Sequence, residues 1–299
     1  MKIPTTRPGA LSRLLAAFAA CALVLALPGA AGAADPKRYR HYYKLFDRGK
    51  TKIPGDDTRW IPQGLTYWPQ QDALIISYYD GERAKNSRLA VIDRASGKKQ
   101  KILELPEKGH VGGLAMSRLY LWVASSKKLS RISKSVLADT GDGGRLRVDS
   151  TQKAGATSFA TMEGDHILWL GKYEHHKTTA YRYPLGLDDS LPDKPGKVTI
   201  PSNVQGMAVF GNKVVLSRSP KPGSPEKLAR NANSWLVVRP VSKPTSTKGL
   251  ELTAPNMSEG IVFARGELHV LYESGAKEYK DADYRVKTIH HALTSDIVG

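Results

Sequence analysis

Side chains that can bind or activate a ligand recur at one place in a repeated phrase, where a short turn leads into an apolar run. The five positions and two polar neighbours are Gln63, Gly112, Thr157, Gln205 and Glu259, with His110 and Asn203 close by. Amides and a carboxylate that converge can hold a polar ligand, Glu259 can ligate a metal ion, and His110 can act as a base. The alternative is that the Gln and Glu side chains hydrogen-bond one another and water.

A second set of polar side chains follows the apolar run that comes after each phrase. Its members with the strongest ligand chemistry are Tyr78, Lys172, Tyr173 and Arg218. Lys172 and Arg218 can hold a carboxylate or phosphate, while a tyrosine ring packs against the ligand. The competing interpretation is an ordinary polar rim where strands end.

Motifs of well-known catalytic centres are absent from the sequence. It contains no Gly-x-Ser-x-Gly elbow, no His-Glu-x-x-His and no phosphate loop. The adjacent pairs His175-His176 and His290-His291 would point to opposite faces of a strand, which argues against chelation by either pair alone. The loop from Asp139 to Gly144 lacks the acid spacing of a calcium loop and indicates a turn.

The repeated phrase returns at intervals of roughly fifty residues, which is the mark of a repeat fold. Its five copies are Gln63–Tyr67, Gly112–Met116, Thr157–Thr161, Gln205–Val209 and Glu259–Phe263. The first unit contains four short apolar segments separated by polar turns, so we predict four antiparallel strands in each unit. In the second unit the predicted outer strands are 130–132 and 145–148. Five such units make an all-β, five-bladed β-propeller, whose inner strands would bring the first set of residues to the axis.

Closure of the ring is predicted from the two ends of the chain. The fifth unit has three apolar segments and lacks a fourth, whereas Tyr42–Arg48 alternates in polarity before the first unit begins. Pairing of Tyr42–Arg48 beside Val286–Leu293 would complete the fifth blade and remove exposed sheet edges.

The strand rhythm of residues 39–295 and the turn Ile92-Asp93-Arg94-Ala95-Ser96-Gly97-Lys98 are similar to those of many secreted and periplasmic propellers. More loosely, the chain resembles the propellers of lactonases, esterases and calcium-dependent nucleotidases. That resemblance implies a calcium ion at the axis, held by carboxylates and by carbonyl or amide oxygens. The sequence departs from it because the first set supplies one clear carboxylate, Glu259, and Glu163 falls in a turn.

The N-terminal residues have the pattern of a secretory signal. Lys2, Arg7 and Arg13 precede the apolar stretch Leu14–Leu27, and Ala31-Gly32-Ala33 offers a cleavage site. We therefore expect a signal peptide over 1–33, a single domain over 34–299, secretion to the extracellular space and no transmembrane segment. Cys21 is the sole cysteine of the chain, so the mature domain is expected to fold without disulfides.

The chain is strongly basic, with 45 Lys and Arg against 28 Asp and Glu. Such a surplus attracts polyanions, or else it decorates loops without further function. The basic, aromatic run Lys37–Phe46 could also bind nucleic acid by charge and stacking, but the rest of the sequence does not favour a nucleic-acid fold.

We expect a monomeric, secreted binding module that takes an anionic small molecule or polyanionic surface at its axial face. The expected ligand contacts are Gln63, His110, Gln205, Glu259, Lys172, Arg218, Tyr78 and Tyr173. The main alternative is a metal-dependent hydrolase of ester, lactone or phosphate bonds, with Glu259 on the metal and His110 as base. A protein-interaction scaffold is a third possibility. The identity of the ligand and the presence of a metal stay open at this point.

Overall fold

The computed structural model describes residues 36–220 and 231–299. The predicted signal segment 1–33, with Cys21, lies outside the described residues, as does most of the Pro-, Lys- and Ser-rich stretch 220–233, for which the sequence predicts a surface insertion. Pro36–Gly299 forms one compact unit.

The regular secondary structure of the described chain consists mainly of short antiparallel strands. The first sheet contains β1 (Trp60–Trp68), β2 (Ala73–Asp80), β3 (Arg88–Asp93) and β4 (Lys99–Glu104). The second contains β5 (Gly113–Met116), β6 (Tyr120–Ser125), β7 (Lys128–Ser133) and β8 (Ser150–Lys153). The third contains β9 (Phe159–Glu163), β10 (Ile167–Gly171), β11 (Thr178–Pro184) and β12 (Gly196–Ile200).

The last two sheets complete the set. The fourth contains β13 (Val204–Phe210), β14 (Lys213–Arg218), β15 (Ser234–Pro240) and β16 (Glu251–Ala254). The fifth contains β17 (Ser258–Ala264), β18 (Glu267–Tyr272) and β19 (His290–Leu293). Within residues 36–220 and 231–299, two short helices, α1 (Lys134–Asp139) and α2 (Thr294–Val298), and four single 3-10 turns accompany the strands; the turns are Lys37–Tyr39, Tyr42–Lys44, Pro69–Gln71 and Lys277–Tyr279.

The five sheets stand around a common axis. β1 contacts β5 and β17, β9 contacts β5 and β13, and β13 contacts β17, so the first strands of the sheets form a closed inner ring. Apolar side chains from neighbouring sheets pack between the blades, as Ile75 and Val91 do with Leu114 and Leu121. Because both faces of a blade are covered, the inner strands are apolar on both sides. The chain is a five-bladed β-propeller, which confirms the prediction from the repeat.

The ring closes where the sequence predicts, although not by a continuous strand. Asp47 forms an antiparallel bridge with His291, and Lys52 forms one with Thr288. Tyr42–Lys44 is a 3-10 turn instead of the predicted strand. The physical reason is that the Tyr42 side chain turns inward, where its hydroxyl contacts His290 Nδ1 at 3.0 Å and accepts from Tyr272 at 2.7 Å.

The second blade also departs from the prediction. Its outer strand is β8, whereas residues 145–148 lie before it and Arg145 makes only a parallel bridge with Glu104 of the first blade. Helix α1 occupies part of the connection, and the hydroxyl of Ser133 caps its start by accepting from Val136 N. No helix in the described residues is long and apolar enough to cross a membrane.

Candidate functional site

Three of the inner strands carry a β-bulge where the sequence has a Gln or Glu followed by Gly. The register of each strand with its neighbour shifts there: between Pro62 and Leu65, between Val204 and Gly206, and between Ser258 and Ile261. A bulge places two residues opposite one and so re-aims a side chain out of the regular alternation. Gln63, Gln205 and Glu259 therefore leave their strands at the same end of the propeller, which we call the axial face.

Glycine follows each of these polar residues because the inner strands approach one another backbone to backbone. A Cβ atom on Gly206 would lie 2.4 Å from the carbonyl oxygen of Glu259, and one on Gly260 would lie 2.4 Å from Leu65 N. The backbone is equally crowded at Gly112, where an added Cβ atom would lie 2.2 Å from the carbonyl oxygen of Ser158. A side chain larger than hydrogen would push neighbouring blades apart.

Two carboxyl groups meet at the axis. Gln205 Nε2 donates to Glu259 Oε1 at 3.0 Å, and Gln63 Nε2 donates to Glu273 Oε2 at 2.9 Å. Glu259 and Glu273 hydrogen-bond each other. The hydroxyl of Tyr279 also donates to Glu273 Oε2, at 3.1 Å. We call these five residues the axial carboxyl cluster.

The two acids of the cluster do not ionise independently. Glu259 is buried, with 3% of its surface exposed. Burial, followed by the nearby charge of Glu273, raises the pKa of Glu259 well above its usual value, while the hydrogen bond from Gln205 opposes the shift. Two carboxyl groups in direct contact cannot both be ionised without strong repulsion, so Glu259 keeps its proton to a higher pH than an isolated glutamate does.

His110 lies beside the cluster and is connected to it by two tyrosines. Its ring centroid is 4.3 Å from that of Tyr79, and Tyr79 hydrogen-bonds Tyr279. His110 Nε2 is 3.1 Å from a guanidinium nitrogen of Arg83. Partial burial of the ring, and then the charge of Arg83, lower the pKa of His110. The imidazole is therefore neutral at pH 7 and can accept a hydrogen bond or a proton.

Three other predicted residues gather away from the axis, between the third and fourth blades. Tyr173 Oη contacts Asn203 Oδ1 at 3.3 Å and the carbonyl oxygen of Ser219 at 3.2 Å. Arg218 Nε donates to the carbonyl oxygen of Ser202 at 2.9 Å, and Lys172 forms an ion pair with Glu174. These side chains border the axial face without joining the axial carboxyl cluster.

Tyr78 is placed differently from the other predicted contacts. Its side chain is fully buried in the first blade, where the Arg88 guanidinium lies 5.4 Å from the ring centroid. The alternation of a strand explains this, because Tyr78 and Tyr79 point to opposite faces. Tyr79 is the member of the pair that reaches the axial face.

Several residues of the site were not among the predicted ligand contacts. Glu273 and Tyr79 belong to the strand ends that the sequence identifies as polar, but Tyr279 and Arg83 lie in connections without a recognisable pattern. A usable signal exists for Glu273. It directly follows β18, one residue beyond the pair Ser258 and Tyr272, so the hairpin brings it diagonally across from Glu259.

The atoms at the axis do not form the set of oxygen ligands that a calcium ion prefers. Calcium prefers six to eight oxygen ligands, whereas Gln63 and Gln205 turn their amide nitrogens toward the carboxylates. Among residues 36–220 and 231–299, no three His, Cys, Asp or Glu side chains group together as metal ligands. Glu259 as a metal ligand, with calcium as the ion, stays a prediction.

Comparisons with known proteins give similarities in structure alone. No protein-family model matches the chain, and no curated protein matches it. The chain is similar to the PQQ-bound aldose sugar dehydrogenase of Streptomyces coelicolor, with 11% identity, a TM-score of 0.49 and coverage of 82% of this chain and 97% of that one. It is also similar to a chain of a nidogen/laminin complex, with 9% identity, a TM-score of 0.43 and coverage of 74% and 73%. Neither similarity bears on function at this level.

Proposed function

We propose that the protein is a secreted binding module that holds a small, hydroxyl-rich anionic ligand at its axial face, with an acidic sugar as the chemical class. The observation that supports this most directly is the juxtaposition of a proton-sharing carboxyl pair with a neutral histidine and an exposed arginine. The carboxyl pair and the amides of Gln63 and Gln205 offer hydrogen bonds without a strong charge, and Arg83 offers a cation.

Hydroxyl groups of a ligand find both donors and acceptors at the centre. A carboxyl pair that holds one proton repels an anion less than two carboxylates would. Gln63 and Gln205 are each half-buried, so their amide oxygens, which face away from the carboxyl groups, remain able to accept from a ligand hydroxyl.

The anionic group of the ligand is assigned to the side of the site where Arg83 meets His110. Arg83 and His110 are both exposed. The contact with His110 uses one of the five N–H donors of the Arg83 guanidinium, so the other four remain for a ligand or water. A carboxylate placed there would accept charge-assisted hydrogen bonds from Arg83. Lys172 and Arg218 lie farther out and would attract a longer anion.

A hydrolase of ester, lactone or phosphate bonds is the second candidate, favoured by the same carboxyl pair. A pair that shares one proton supplies both an acid and a base, and His110 provides a further neutral base nearby. The candidate needs substrate access to Glu259, which is 3% exposed. Binding is the preferred proposal because Gln63, Gln205, Arg83 and His110 can contact a ligand without access to Glu259.

Calorimetric titration with galacturonate and with galactose tests the binding proposal. We expect saturable binding of galacturonate, weaker binding of galactose, and a loss of about tenfold or more in galacturonate affinity for Arg83→Gln. Lys85→Gln is the matched control, since Lys85 is an exposed cation of the same loop. Equal affinities for the two variants, or no saturable binding by the wild type, would contradict the proposal.

Two further measurements separate the rivals. Turnover of generic ester or nucleotide substrates that Glu259→Gln abolishes would favour the hydrolase. A saturable rise of the wild-type melting temperature with calcium chloride, absent in Glu259→Gln, would instead identify a cation at the axis.

A further inference from the structure

The inner strands end on the opposite side of the propeller in a pocket of about 330 Å³. All five blades contribute to its walls, and six of its apolar side chains are Met116, Met162, Val209, Phe210, Val262 and Phe263. Its lining shares no residue with the axial carboxyl cluster. The two ends of the axis therefore differ in chemistry, one polar and one apolar.

An aromatic side chain at the mouth of this pocket is left open to water. Phe210 is 50% exposed, and its ring centroid lies 5.3 Å from that of Phe263. Within the described residues, Phe210 is one of four large apolar side chains with such exposure, and the other three do not line this pocket. An exposed aromatic ring beside a concave apolar surface is typical of a ligand site.

One cation stands at the rim. Arg265 is the only charged side chain among the described residues that line the pocket, and its side chain is 60% exposed. The Nε atom of Arg265 donates to Tyr67 Oη at 2.9 Å and lies 3.5 Å from Asp72 Oδ1. Asp72 is already engaged by Arg94 at 2.8 and 3.0 Å. The terminal guanidinium nitrogens of Arg265 can thus donate to an anion.

We propose that this pocket binds a small amphiphile with an apolar body and one anionic head group. The body packs against Phe210, Phe263 and the two methionines, and the head group accepts hydrogen bonds from the Arg265 guanidinium. Flexible methionines suit such a site because they adapt to apolar ligands of different shape. This inference is independent of the proposed function at the axial face.

The shape of the pocket favours a small molecule over a second copy of the chain. A volume of about 330 Å³ falls in the range of small-molecule sites. A stable protein interface needs roughly 800 Å² from each partner. One exposed and one half-buried aromatic ring at a concave mouth do not make a surface of that extent.

Titration with octanoate and with octanamide, a neutral molecule of the same chain length, tests the inference. We expect one octanoate per wild-type chain. Met162→Trp should abolish binding of both molecules because the larger side chain fills the pocket. Phe210→Ala should weaken both by about tenfold, and Arg265→Gln should weaken octanoate by about tenfold while it changes octanamide less than twofold.

The controls are substitutions of the same kind outside the pocket. Leu187 is 89% exposed and the Arg147 side chain is 78% exposed, so Leu187→Ala and Arg147→Gln should bind both molecules as the wild type does. Melting temperatures within a few degrees of the wild type show that each variant is folded. The inference is overturned if the wild type shows no saturable octanoate binding or if Met162→Trp binds normally. It is equally overturned if Phe210→Ala abolishes a concentration-dependent dimer, which would make a second copy the occupant.

Discussion

Glu259 is the residue on which the chemistry of the axial face depends. Burial, and then the charge of Glu273, raise the pKa of Glu259 well above its usual value, and the hydrogen bond from Gln205 does not offset that effect. The carboxyl group therefore keeps its proton, and the ability to donate a hydrogen bond, to a higher pH than an exposed glutamate does.

Substitution of Glu259 by Gln should flatten the dependence of stability on pH. A carboxyl whose pKa is raised in the folded state binds a proton that the unfolded chain releases above pH 4.5. The wild-type free energy of unfolding should therefore fall as pH rises from about 5 toward the raised pKa, by up to about 1.4 kcal/mol per pH unit. Glu259→Gln, which mimics the protonated acid, should lack that fall.

Urea unfolding at several pH values measures this difference. Glu82→Gln serves as the control, because the Glu82 side chain is 66% exposed and should follow the wild-type curve. Parallel curves for the wild type and Glu259→Gln would mean that Glu259 is ionised in the folded protein.

At the scale of the strand, the bulge and the glycine act together. The bulge turns Gln63, Gln205 and Glu259 toward the axis, and the following glycine lets the next blade approach. Serines strengthen the same junctions, since Ser77 Oγ accepts from Gly64 N at 2.9 Å and donates to the carbonyl oxygen of Val111 at 2.5 Å. The polar ring and the contact between blades thus share one local geometry.

Gly206→Ala should destabilise the protein by about 2 kcal/mol or more, since the new methyl group would press against the backbone of β17. Gly155→Ala is the control, because no atom lies within 4 Å of the added Cβ position and its φ is not in the left-handed region. Denaturant unfolding compares the two variants. Equal stabilities would show that the inner strands can move apart at no cost.

At the scale of the whole molecule, stability depends on how the first and last blades are joined. The aromatic residues Tyr39, Tyr42 and Phe46 are buried against the fourth and fifth blades, while the cations between them face outward. Stacking of nucleobases on these rings is therefore unavailable in the folded protein. The basic, aromatic run packs at the closure of the ring.

Tyr42→Phe should lower the free energy of unfolding by about 2 kcal/mol. The change leaves Tyr272 and His290 without their hydrogen-bond partner in a buried place, which costs more than the lost bond itself. Burial lowers the pKa of His290 to about 3, so the imidazole is neutral and cannot compensate by charge. Tyr181→Phe on the half-buried β11 is the control, and a similar loss in both variants would remove the special role of the closure.

The sequence by itself determined the number of blades, the order of their strands and the place of closure. These follow from local patterns, namely apolar runs of strand length and turn residues between them. Four of the inner strands also have a Gly at the same place, where the third has Ser158. It also identified Gln63, Gln205 and Glu259 as members of one ring. The prediction of strands at residues 42–44 and 145–148 was wrong, because contacts with distant parts of the chain override a weak local preference there.

Only the tertiary structure decided which of these residues meet. Gln63 contacts Glu273 across 210 residues of sequence, and this contact requires both the closed ring and the bulges. The depth of Glu259, the inward turn of Tyr78 and the apolar pocket at the far end of the axis depend on the same assembly. Spacing along a chain specifies strands, but the distance between side chains on different blades is determined by how the blades pack.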